Sequence, residues 1–185
     1  MPTVITHQGG TCKCYLFTLP YFDSKSDLYV EALNCFFTDP NWKSRWEGIE
    51  VDAASADAGP QIVCAYLSRQ HFSDVENSCP MVALPSDVAR SDERVKGAFE
   101  TVFKAMVNLL GRDLRNSAQP PESTAMAIAA LCIGGMVVAR SVHDQGLGSR
   151  LREAAIRVAL ELGGWDTVTA SKRRTRAKVR RAKAS

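Results

Sequence analysis

The chain lacks the features by which most enzymes show themselves. It holds no glycine-rich phosphate loop, no paired-acid motif and no zinc-ligand set of the usual spacing. Strand-like alternation of useful length is missing, and so is any internal repeat. Met1 to Pro20 has no charged start, apolar centre and small-residue cleavage site, so it does not read as a secretory signal. The longest uncharged run, Ser123 to Ala139, has 17 residues and is short for a bilayer span. These absences point away from catalysis, cofactors and membranes and toward a cytoplasmic, all-α protein.

Six cysteines are present, but Cys35, Cys64, Cys79 and Cys132 stand alone in helical or apolar contexts. Reduced thiols are therefore expected rather than a disulfide framework. His7, Cys12 and Cys14 offer three metal-ligand types close together, with Cys35 as the nearest fourth. No second Cys or His pair completes them, so no metal is expected. Cys79 precedes a helix start, which can lower a thiol pKa, but Pro80 removes a donor there and no motif supplies a base.

What is present is an ordinary core composition with an uneven charge. Of 185 residues, 45% are hydrophobic and 23% charged, enough for one domain, or one domain with a small head. Lys172 to Ser185, KRRTRAKVRRAKAS, carries eight of the 23 basic residues and no acid, leaving 15 basic and 20 acidic residues elsewhere. An acidic body thus bears a basic tail. Two readings stand for that tail: a solubilising end, or a salt-sensitive nucleic-acid contact.

The stretch YFDSKSDLYVEAL, Tyr21 to Leu33, sets an aromatic pair before a helix start. Ser24 followed by Asp27 resembles a capping box, and Leu28, Ala32, Cys35 and Phe36 share one helical face. Asp39-Pro40 should end that helix, near Phe37. Gly59-Pro60 opens the next helix, with Ile62, Val63, Tyr66 and Leu67 as its stripe. Ser78-Cys79-Pro80 starts a short one, which Pro85 restarts. Ser91 is expected to cap a long helix whose apolar positions are Val95, Phe99, Val102, Phe103, Met106, Leu109 and Leu110. Pro120-Pro121 leads into a helix to about His143. Gly146 to Gly148 reads as a break before a last helix with the stripe Leu147, Leu151, Ala154, Ala155, Val158 and Leu162.

Gly134 and Gly135 lie inside a helix, where each costs about 1 kcal/mol against Ala. Small residues let another backbone approach, and this helix is apolar nearly all round. Two arrangements would cover it. It is the central helix of a monomer, or it joins the last helix and a second copy in a symmetric four-helix bundle. The second is preferred. Ile128, Cys132, Gly135, Ala139, Leu151, Ala155, Val158 and Leu162 are the expected contacts of that homodimer.

The order of these signals resembles the TetR family of bacterial transcription repressors. The residues that carry the resemblance are the aromatic pair before Asp23 to Leu28, the motif CPMVALPSDVARSD from Cys79 to Asp92, and the closing stretch IAALCIGGMVVARSV, Ile128 to Val142. It covers about residues 21 to 164. It implies remnants of a DNA-binding head with a linking helix over 1–37, a ligand-binding and dimerisation domain over 38–164, and a basic tail over 165–185. It also implies double-stranded DNA as a partner and a repressor switched by a small effector. Thr6, His7, Gly9 and Gly10 look like the start of the pattern that closes the family's helix-turn-helix, and Tyr21 and Phe22 like its end. Ten residues, TCKCYLFTLP, separate the two parts, more than the family pattern carries, and the two helices that precede the recognition helix are missing. Tyr21 and Lys25 are implied phosphate contacts, and a lysine beside helix N-terminal amides suits a phosphate. The alternative is a dimerising ligand-binding or interaction module without sequence-specific DNA recognition.

Tyr66, Phe72, Met81, Phe99, Phe103, Met106 and Met136 read as core residues by spacing. Under the resemblance they line an effector pocket for an apolar or aromatic ligand. His71 is either that ligand's polar contact or an exposed residue near a helix end.

Overall fold

The computed structural model describes residues 22–39, 49–76, 78–112, 114–115 and 120–165. All regular structure among them is helical. The first helix, α1, spans Lys25–Thr38. Ser24 caps it: its Oγ accepts from Asp27 N at 3.1 Å and donates to the Asp27 carboxylate at 2.6 Å. The helix ends one residue later than expected, with Asp39 extended as a residue before proline should be. Leu33 of α1 is fully buried, whereas Cys35 is exposed and donates to Glu31 at 3.1 Å. The expected stripe was therefore set slightly off the covered face.

Two helices follow where one was expected, α2 (Ala58–Tyr66) and α3 (Arg69–Ser73). Between them Ser68 Oγ accepts from His71 N at 3.1 Å, so a serine restarts the chain as a new helix. Ile62, Val63, Tyr66 and Leu67 are buried as their spacing implied. Two single-turn helices, α4 (Pro80–Ala83) and α5 (Pro85–Ala89), each begin on a proline that fixes φ for a first turn.

Helix α6 spans Glu93–Gly111. Its cap is Asp92 rather than Ser91: the Asp92 carboxylate accepts from Val95 N at 3.1 Å, while Ser91 Oγ donates back to Asp87 O at 2.8 Å. Helices α7 (Pro121–Ser141) and α8 (Gln145–Leu162) form an antiparallel pair joined by residues 142–144. The expected break at Gly146 to Gly148 lies inside α8, because Asp144 caps it by accepting from Gly146 N at 2.8 Å.

Small residues make the α7–α8 seam. A β-carbon on Gly148 would stand 2.9 Å from Ala139 O, and one on Gly135 would stand 2.9 Å from the Ala155 β-carbon. Ala125, Ile128, Ala129, Cys132 and Met136 of α7 are buried, with α6 and α8 packed against it. By length and composition alone α7 is apolar enough to cross a membrane, and no other helix among the described residues is. Within the chain 39% of that stretch is buried, on the side packed against α6 and α8.

The chain turns after α8 through Gly164 at φ 69° and buries Trp165 to 1% exposure. Trp165 therefore belongs to the helical body, although the sequence suggests a tail from residue 165. Its indole lies on Gly59 of α2. Arg115 holds the same corner, donating from its backbone N to Gly163 O at 3.1 Å and from its guanidinium to Asp57 at 2.6 Å.

Candidate functional site

Of the residues implied in DNA contact, His7, Gly9, Gly10 and Tyr21 lie outside the described residues, as do Cys12 and Cys14. Phe22 is half-buried, and Lys25 is the first residue of α1. Lys25 Nζ stands 3.4 Å from Asp87 Oδ1 and 5.0 Å from the Tyr29 ring centroid. Two further links join this helix end to the start of α6. Ser26 Oγ donates to Asp92 at 2.6 Å, and Arg94 pairs with Asp27 at 2.5 Å. The Ser24 hydroxyl, then Arg94, hold the Asp27 carboxyl below its ordinary pKa. The Ser26 hydroxyl, then the amide of Val95, do the same for Asp92. The N-terminal end of α1 is thus fastened by polar side chains to the α5–α6 junction.

The residues expected to line an effector pocket divide in two. Tyr66, Met81 and Met136 are inside the core, and Phe72, Phe99, Phe103 and Met106 are half-buried against it. His71 is neither exposed nor at the surface: it is fully buried. Its Nδ1 lies 2.6 Å from Tyr66 O, and a carbonyl can only accept, so Nδ1 carries the proton. The imidazole stands edge-on to the Tyr66 ring, 5.0 Å between centroids at 86°. Tyr66 in turn donates to Cys79 Sγ at 3.5 Å. Burial, then the adjacent Cys79, push the Tyr66 hydroxyl well above its ordinary pKa, so it stays protonated.

Two arginines that the sequence reading passed over reach this region from the closing helices. Arg140 of α7 donates to the carbonyls of His71, Phe72 (3.2 Å) and Asp74 (3.2 Å) and to Ser78 Oγ. It ties down the end of α3 and the segment after it. Arg152 of α8 donates to Leu67 O at 2.9 Å, and its guanidinium carbon lies 4.8 Å from the Phe72 ring centroid. A signal for Arg152 existed. Gly148, Arg152, Ala155 and Ala159 follow helical spacing, and all four are buried.

The residues expected at a dimer interface are mostly consumed within the chain. Ile128, Cys132, Ala139 and Ala155 are buried by their own chain, Gly135 and Leu151 are partly covered, and Val158 and Leu162 are exposed. Other apolar side chains stand outward instead. On α7 these are Met126 and Val138, with Gly134 open between them; on α8, Leu147 joins Val158 and Leu162. Each of the two helices therefore turns small residues to the other and larger apolar ones to the outside.

Buried Cys132 has its thiol pushed up to about 12 by burial, then by Cys64, so it is an inert core residue rather than a nucleophile. No disulfide joins Cys35, Cys64, Cys79 and Cys132 to one another. Compared with known proteins, the chain matches no family model and no curated protein.

Proposed function

We propose that this chain is a dimeric regulator of TetR type, whose helical body takes a small effector and passes its state to a DNA-binding head through α1. The observation that carries the reading is the pair α7–α8. It shows a close seam of small residues inside and an apolar strip of Met126, Val138, Leu147, Val158 and Leu162 outside. A second copy laid on that strip would complete a four-helix bundle. The fastening of α1 to α5 and α6 supports the same reading. An effector that repacked the core beside α6 would move α1, and it would shift DNA affinity only by its preference between two placements of that helix.

One observation favours a second reading, a dimerising module without sequence-specific DNA binding. Lys25, the implied phosphate contact, has its Nζ 3.4 Å from Asp87, and Asp23 and Asp27 flank it two residues away in the chain. Negative charge around a lysine opposes phosphate approach.

The test is fluorescence anisotropy on a labelled duplex from the gene's own upstream region. The whole chain and a chain ending at Trp165 are compared across a salt series. The regulator reading expects binding that survives loss of the basic tail and exceeds that of random DNA. Binding that disappears with the tail, or that random duplex matches, would leave the module reading in its place.

A further inference from the structure

Arg140 and Arg152 approach the same short segment, Leu67 to Ser78, but they are used differently. Arg140 spends its donors on three backbone carbonyls and a hydroxyl. A guanidinium has five N–H donors. Among the described residues Arg152 makes one hydrogen bond, from Nη1 to Leu67 O, and its Nε is buried with no acceptor. The residue is only 8% exposed. No ion pair joins it among the described residues; burial lowers its pKa, and of the charges that act on it the neighbouring Glu153 contributes more than Arg69, whose positive charge opposes it.

A guanidinium keeps its charge even when buried. Placing that charge out of water is strongly unfavourable unless an anion or a full set of acceptors meets it. Neither the Phe72 ring face nor one carbonyl is a full set. The position is fixed, however: Leu67 O holds one nitrogen, and the seam at Gly148 and Ala155 holds the helix that bears the side chain. A planar, oriented cation with unused donors beside an aromatic face matches a carboxylate on an apolar body.

We propose that Arg152 reads an anionic group, so that the effector is an organic carboxylic acid whose apolar part lies against Phe72. The inference rests on the effector reading above and narrows it, since the aromatic and methionine side chains by themselves imply only an apolar molecule. It also gives the ligand a mechanical reach. The acid would bridge α8, a helix of the dimer pair, to the α2–α3 corner.

The experiment uses the whole chain and two matched pairs of probes, benzoate against benzyl alcohol and octanoate against 1-octanol. Affinities come from calorimetric titration and from the rise in thermal midpoint. At least one acid is expected to bind about tenfold more tightly than its alcohol, the scale of one charge-assisted fork contact. Arg152→Met is expected to bring acid and alcohol to near equality by weakening the acid's binding. Should that variant not fold, Arg152→Lys keeps the charge and loses the fork, and the acid–alcohol comparison in the unaltered chain decides by itself. Equal binding of acids and alcohols overturns the inference but leaves the effector reading standing. A preference for acids that survives Arg152→Met also overturns it. Binding of none of the four removes the acid assignment and the effector reading together, without touching the dimer.

Discussion

The indole of Trp165 lies so close to Gly59 that a β-carbon on that glycine would stand 2.3 Å from Trp165 Cζ2. One residue just beyond the last helix therefore closes onto the first turn of α2, more than a hundred positions earlier in the chain. Nothing larger than glycine fits at the contact without displacing the ring.

Replacing Trp165 should show the weight of this contact. Trp165→Ala empties a fully covered site and is expected to cost about 3–5 kcal/mol in urea unfolding. Gly59→Ala should cost less, about 1–3 kcal/mol, because overpacking can be shared by small shifts. If both variants unfold at the wild-type midpoint, the corner is not a structural closure.

Arg140→Met removes donors from the carbonyls of His71, Phe72 and Asp74 at once. Bonds from a charged donor are worth about 1.5–3 kcal/mol net, and the loss should fall near the upper figure. Hydrogen exchange should quicken in α3 and the segment to Ser78 more than in α6. Uniform quickening throughout the body would argue against a local role.

The α1 fastening predicts an acid-sensitive link. Asp27 and Asp92 have carboxyls held below the ordinary value, so their contribution is complete above the unfolded pKa, about 3.9. It is lost as the pH falls from there through the lower, folded values. Unfolding midpoints measured from pH 6 down to pH 3 should fall less steeply in Asp27→Asn with Asp92→Asn than in the wild type. Parallel curves would mean that the two aspartates contribute no pH-dependent stability.

The outward strip gives a prediction about assembly. Val158→Glu with Leu162→Glu should convert a dimer to a folded monomer in sedimentation, with little change in helical content, since both side chains are exposed within one chain. A dimer that survives both charges would place the interface elsewhere.

The all-α class was legible in the sequence because helical spacing and caps were strong, above all in α6. The phase of α8 was not. The expected stripe of Leu147, Leu151, Ala154, Ala155, Val158 and Leu162 includes buried Ala155, but its Leu147, Val158 and Leu162 stand outside. The covered side is Gly148, Arg152, Ala155 and Ala159. Hydrophobic size is a guide to burial where helices sit at ordinary distance. At a seam this tight only small residues fit, and size then points the wrong way. The same inversion hid Arg152, because a charged residue in a line of glycine and alanine reads as surface. For His71 only the exposed reading fails: a second helix starts at Ser68, and the imidazole is fully buried.

The reach of Arg140 bears on the order in which the molecule can be completed. Its guanidinium meets carbonyls made 66 to 69 positions earlier. As the chain is synthesised, the stretch from α3 to Ser78 emerges long before the arginine that will hold it. Its carbonyls must stay with water until α7 has formed and docked. This corner is therefore expected to close late in folding, and in a nascent chain it is where a protease would find an opening.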